Sequence, residues 1–227
     1  MQRVTSVWST CRQFVGQVCR DRPASHGLAH MEGVTQLAVL IHALERADAA
    51  LREDLVVVAM LHDVADHKYD RDGTLEAQVR TFLRATLADK ADSADLAWET
   101  ISAVSYSKEK RQGMRYFEAA LGPRWTAIRD IVSDADKLLA IGVDGLERCW
   151  DYQLEVAAER GQTLSPAELT DQVRQHADEK LLRLLPEYMV TPSGKFLAEP
   201  KQAAMQAVLS AWERDPPTTA TFPARQH

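Results

Sequence analysis

Three short stretches carry the residues that could do chemistry. Ser25-His26-Gly27-Leu28-Ala29-His30 places two histidines four residues apart. His62-Asp63-Val64-Ala65-Asp66-His67-Lys68 follows directly on the apolar run Leu55-Val56-Val57-Val58-Ala59-Met60-Leu61. Asp134-Ala135-Asp136-Lys137 lies after Ile128, Ile131 and Val132. Ionisable groups beside buried segments must either face solvent or find a partner. Neighbours on a helix point about 100° apart, so His62 and Asp63 can share an ion only if it sits between their directions. Further ligands must then come from other helices. Imidazole nitrogen with carboxylate oxygen suits manganese, iron, magnesium or zinc, and two ligating aspartates would neutralise a divalent cation. Each stretch alone has a plainer explanation, because a His-Asp pair is ordinarily surface decoration and Asp-Ala-Asp-Lys an ordinary solvated helix face. Both in one chain, each beside an apolar segment and with a His pair upstream, point to a metal or a polar ligand.

The elements that must position these residues read as helices. Val4, Val7, Trp8, Cys11, Val15 and Val18 recur at helical spacing, predicting a helix over the first 19 residues. Asp21-Arg22-Pro23-Ala24-Ser25 breaks it, and the pattern resumes over 28–45. Residues 51–66 predict a third helix, apolar nearly all round and therefore central. After a loop at 70–73, helical patterns follow at 75–88, 92–105 and 123–141. Ser165-Pro166-Ala167-Glu168 is a capping box with proline at the first helical position. Its helix runs to Leu185 and stops at Pro186, and a last helix covers 199–213 with Pro200 in its first turn. The Pro/Thr-rich tail, 214–227, reads as disordered. There is no repeat, no Gly-rich phosphate loop and no run of strands, so the fold class is all-α in one compact domain.

The chain has 227 residues and 45% hydrophobic content, enough for a real core. Its net charge of −6 argues against nucleic-acid or anionic-membrane binding, and leaves room for a small phosphorylated ligand in a local basic pocket. Cys11, Cys19 and Cys149 form no C-x-x-C. That fits a reducing compartment and argues against a disulfide framework or a zinc ribbon. The N-terminus lacks a continuous apolar core and reads as neither signal peptide nor anchor. The expected location is the cytoplasm.

The order His30…His62-Asp63…Asp136 resembles the H…HD…D signature of the HD-domain metal-dependent phosphohydrolases. The likeness is greater to a branch of small HD proteins similar to nucleotide pyrophosphohydrolases. That branch has S/G-H-x-x-x-H-x-x-x-V, matched by Ser25 to Val34, and HD-x-x-D-x-K-[FY], matched by His62 to Tyr69. An I-S-x-x-S-[FY]-S-K-E element is matched by Ile101 to Glu109, and D-A-D-[RK]-L-x-A-I-G by Asp134 to Gly142. Further elements are matched by His176 to Leu182 and by Thr191 to Glu199, so the resemblance spans about 22–212. One departure is Pro200-Lys201-Gln202, where the branch usually continues with basic or His residues.

The resemblance implies an all-α, single-domain HD fold over 21–213, with the N-terminal helix, 1–20, packed on it. It implies one divalent cation held by His30, His62, Asp63 and Asp136. Manganese is the expected ion, with Mg, Fe, Co, Zn or Ni as alternatives. Asp134 competes with Asp136, but the family's ligand normally sits in an Ala-Asp-[RK]-Leu unit, which favours Asp136. Asp66, read as one helical turn beyond His62, is assigned to orienting or deprotonating the attacking water. Lys68 and Lys108 are assigned to phosphate charge, with Arg111 weaker, and His176 and Lys180, one turn apart, to the substrate. His26 reads as a partner of a ligand; His42 and His67 stay open. Dinuclear relatives supply extra His between the HD pair and the last Asp, and no His lies between His67 and His176 here. The implied activity is hydrolysis of a nucleoside triphosphate to monophosphate and pyrophosphate. A nucleoside monophosphatase, an alarmone hydrolase and a non-catalytic, metal-stabilised binding module are the alternatives. The implied partner is a small phosphorylated molecule, with no nucleic acid and no membrane; a homodimer stays open.

Overall fold

The computed structural model describes residues 2–23, 26–88 and 93–222. The protein is all-α, with no strand among the described residues. It divides into two compact units, Met1–Asp136 and Lys137–His227.

The first unit is built around a short central helix. α1 (Gln2–Val18) and α2 (Leu28–Leu44) both pack on α3 (Arg52–Leu61), as does α5 (Ser93–Val104). Every residue from Leu55 to Leu61 is fully buried, which is why this segment has no polar face. Each large side chain so removed from water contributes about 1.5–3 kcal/mol. A 3-10 turn, Ala49–Leu51, leads into α3, and Glu53 and Asp54 in its first turn complement the helix dipole.

α3 is shorter than its sequence pattern implies. It ends at Leu61 rather than Asp66, and residues 62–65 form turns. The His62 ring folds back and donates its Nδ1–H to the Ala59 carbonyl at 2.8 Å. Four-residue turns then close from Val64 N to Leu61 O and from Asp66 N to Asp63 O. The Asp66 carboxylate accepts from the Lys68 amide at 2.8 Å, which stabilises a further turn. The His-Asp pair therefore sits where a buried helix stops, not on its side.

α4 (Thr74–Thr86) follows, and Phe82 on it stacks on Phe14 of α1 at 4.3 Å. α6 (Tyr106–Gln112), which the sequence pattern does not reveal, is capped by the Ser105 hydroxyl accepting from the Lys108 amide. α7 (Glu118–Ala140) kinks at Gly122, whose φ of 66° precedes Pro123, so the regular helix starts where the pattern places it. A buried charge network ties α5, α6 and α7 together. Arg129, wholly buried, donates to Glu109 Oε2, to the Ala103 carbonyl at 3.0 Å and to Asp130 at 3.3 Å. Its guanidinium also lies 4.1 Å from the Phe117 ring centre. Arg115 adds a fork onto Asp130 at 3.2 Å.

In the second unit α8 (Val143–Glu159) is a further helix missing from the sequence pattern. α9 (Pro166–His176) starts on the expected capping box: the Glu168 amide donates to the Ser165 hydroxyl at 3.3 Å and the Ser165 amide to Glu168 at 2.9 Å. Wider π turns, Ala177–Leu181 and Leu184–Tyr188, carry the chain through Pro186, which does not stop it. Gln202 donates to the Leu182 carbonyl, between the two π turns, at 3.1 Å. α10 (Pro192–Arg214) begins at a Thr191 cap with proline at the first position, and Pro200 lies inside it rather than in its first turn. The start of the tail is docked rather than disordered. Trp150 donates to the Ala220 carbonyl at 2.8 Å, and Phe222, 2% exposed, packs 5.9 Å from both Trp150 and Trp212. Residues 223–227 of the expected disordered tail lie outside the described residues.

Candidate metal centre

Three elements of the first unit bring His30, His62 and Asp136 together. His30 is in the first turn of α2, His62 caps the end of α3 and Asp136 lies on α7. The Nε2 atoms of His30 and His62 are 3.3 Å apart, and Asp136 Oδ1 is 3.5 Å from the first and 3.8 Å from the second. Among the described residues this is the group whose ligand atoms could hold one ion, all lying within 4.8 Å of one another.

The bonding around the group decides which atoms face inward. Only an N–H can meet the Ala59 carbonyl, so His62 carries a proton on Nδ1 and turns Nε2 toward His30 and Asp136. Two imidazole nitrogens at 3.3 Å need either a shared proton or a cation between them. Burial pushes the His30 pKa down to about 4, against the pull of Asp136. Burial acts the same way on His62, but its contact with Asp136 and the charges of Asp63 and Asp136 outweigh it and raise its pKa to about 9. The pair thus holds one positive charge beside a carboxylate. A divalent cation fits the same place: two neutral nitrogens and one oxygen, on rings largely shielded from water, form a borderline-soft donor set.

Asp63 stands next to this group rather than in it. Its Oδ2 accepts from His26 Nδ1 at 3.1 Å. Burial opposes its charge, but His26 and His62 hold its pKa below the ordinary value. The expected ligands therefore separate into three that face one another and one that is held by a neighbouring histidine. Asp134, the competitor of Asp136, is fully buried and outside the group.

The other expected site residues lie as follows. Asp66 is in the turn after α3, not one helical turn above His62, and its Oδ1 lies 3.4 Å from His67 Nδ1. Lys68 and His67 are exposed, and Lys108 is half-buried on α6. Neither lysine forms an ion pair among the described residues. His176 ends α9 and Lys180 is in the π turn after it, both in the second unit. Burial and the Lys180 charge lower the His176 pKa. His42 donates to the Asp48 carbonyl at 3.0 Å and secures the end of α2.

Arg22 escapes the sequence reading. It donates to the Asp63 carbonyl at 2.9 Å and to the Val64 carbonyl, and its guanidinium lies 4.2 Å from the Tyr69 ring centre. In the sequence it is one charged residue in a helix-breaking stretch, and no local pattern ties it to residues 41 positions away.

No protein-family model matches the chain, and no curated protein does. Solved structures do. Bacillus subtilis YpgQ superposes with a TM-score of 0.69 at 25% identity, over 96% of this chain and 98% of that one. YpgQ crystallised with ADP matches at TM-score 0.67 and 24% identity, over 95% and 97%. An HD-superfamily hydrolase of Bacillus thuringiensis matches at TM-score 0.64 and 19% identity, over 93% and 97%. No described helix is long and apolar enough to cross a membrane. An all-α chain matched along nearly its full length by these structures has the HD-domain fold.

Proposed function

We propose that the protein is a metal-dependent phosphohydrolase that cleaves nucleoside triphosphates to monophosphate and pyrophosphate. The observation that carries this reading is the meeting of His30, His62 and Asp136 around one point, with Asp63 beside them. Whole-length likeness to an HD-superfamily hydrolase and to a protein crystallised with ADP supports both reaction class and ligand class. A cation held by His30, His62, Asp136 and, through its second oxygen, Asp63 would polarise a phosphate oxygen and acidify a water. Manganese heads the candidates.

The chain's own residues do the rest. His26 holds the Asp63 carboxylate in place, and Ala59 fixes the His62 tautomer. Asp66, one turn of backbone beyond Asp63, orients the attacking water and takes its proton. A water oxygen bonds to the α-phosphorus, the bridging oxygen leaves with pyrophosphate, and Lys68 and Lys108 balance the charge of the phosphate chain. His176 and Lys180 remain assigned to substrate binding, and the HD domain to 21–213. Asp66 and Lys68, in the turn that follows His62 and Asp63, favour catalysis over a purely structural metal, which needs neither.

The test is a nucleotide panel run with each divalent metal, separating phosphate from pyrophosphate release. Triphosphates, with about four charges against two, should gain more from the lysines than monophosphates. Lys108→Ala should cost about 10-fold or more in kcat/KM on triphosphates, and less on monophosphates. Preference for monophosphates with only inorganic phosphate released would favour a monophosphatase instead.

A further inference from the structure

The first turn of α2 and the residues before it meet the turn after α3 at three points. His30 faces His62 at 3.3 Å, and His26 holds the Asp63 carboxylate at 3.1 Å. Both belong to the metal centre. The third point does not: the Arg22 guanidinium takes the Asp63 and Val64 carbonyls. Those carbonyls lie just past the C-terminus of α3, where acceptors lose their helical partners and a cation is favoured. The same guanidinium sits over the Tyr69 ring, 4.2 Å from its centre, at the far end of the turn. Tyr69 is itself tied to the turn through its amide, which donates to the Asp66 carbonyl at 2.8 Å. One planar, always-charged group therefore grips both ends of the stretch that carries His62, Asp63, Asp66 and Lys68. Gly27, just before α2, leaves room for the Pro23 carbonyl, which a side chain there would approach to 3.1 Å.

We infer that Arg22 is a positioning residue of the metal centre, whose double hydrogen bond to Asp63 and Val64 and stacking on Tyr69 hold the 62–69 turn in its ligating shape. The inference rests on the metal-centre reading above. Arg22 touches no ligand atom; it acts through the backbone that carries them. Lysine cannot replace it fully, because an ammonium lacks the planar fork that reaches two carbonyls while stacking on a ring.

The experiment is titration of the full-length, metal-free protein with manganese or cobalt ions alone, alongside its thermal unfolding. Arg22→Met should weaken ion binding by about 10-fold or more, the usual effect of removing a partner that orients ligands. Arg22→Lys should fall between Arg22→Met and wild type. Arg124→Leu is the control: Arg124 likewise bonds a backbone carbonyl, Ala50, and a buried carboxylate, Asp54, away from the centre. It should lower the unfolding temperature and leave ion affinity unchanged. If Arg22→Met does not fold, Arg22→Lys carries the test, with weaker ion binding expected at a near-native unfolding temperature. Wild-type affinity in the Arg22 variants would overturn the inference while the metal centre stands. An equal loss of affinity in Arg124→Leu would overturn it as well, by showing a general effect of instability. A wild-type protein that binds neither ion would remove the metal centre and this inference with it.

Discussion

Glu109→Leu tests how the structure holds α6, the helix that presents Lys108. Glu109 and Arg129 are both fully shielded, and the substitution leaves the Arg129 guanidinium buried without its main counter-charge. Breaking a buried ion pair from one side costs about 3–5 kcal/mol. Arg129 keeps the Ala103 carbonyl, Asp130 at 3.3 Å and the face of Phe117, which places the loss at the lower end. About 3 kcal/mol, at roughly 2–4 °C per kcal/mol for a chain of this size, lowers Tm by about 6–12 °C. Urea and thermal unfolding measure it. The double variant Glu109→Leu with Arg129→Met should recover much of the loss, because a matched apolar pair is far less costly than a lone buried charge. A loss below about 1 kcal/mol in the single variant, or a double variant as weak as the single, would refute the reasoning.

Other outcomes follow from the site and the second unit. His62→Ala should lose both ion retention and hydrolysis, whereas Asp66→Ala should keep the ion and lose most of the rate; full activity in the Asp66 variant would remove its assigned role. His176 has its pKa held below 6.5 by burial and by Lys180, so the unfolded chain binds the proton more readily. Stability should therefore fall as pH drops below 6.5, and His176→Gln should flatten that decline in pH-dependent unfolding. Phe222→Ala should cost about 3 kcal/mol, as truncation of a buried aromatic does; an unchanged urea midpoint would mean the tail is not docked in solution.

What the sequence made legible depends on how local each signal is. The helices with a clean apolar stripe or a capping box were readable: α1, α2 and the start of α9. The end of α3 was not, because an apolar run does not say where its backbone stops. Here the stop is set by a histidine ring turning back on Ala59. The start of α10 carried the same Thr-Pro signal as Ser165-Pro166, but Pro200 suggested a later start. The stretches holding His30, His62-Asp63 and Asp136 stood out because chemically distinctive residues lie beside apolar segments, and the resemblance to the HD family picked these four from them. Arg22, Glu109 and Arg129 could not. Glu109 stands among Lys108, Lys110 and Arg111 with no apolar pattern to turn it inward, and only packing against Arg129 shows that it points into the core. The hydrogen bonds that tie Arg129 to Glu109 and Arg22 to Asp63 and Val64 span 20 to 42 positions, a distance no periodicity records.

The most direct test of the account is a crystal structure of the manganese-loaded protein, with anomalous scattering recorded across the manganese edge. One anomalous peak is expected, bonded to His30 Nε2, His62 Nε2 and an oxygen of Asp136, with an Asp63 oxygen completing the protein ligands. No peak between these side chains, or a manganese bound elsewhere while His30 and His62 stay as they are, would contradict it.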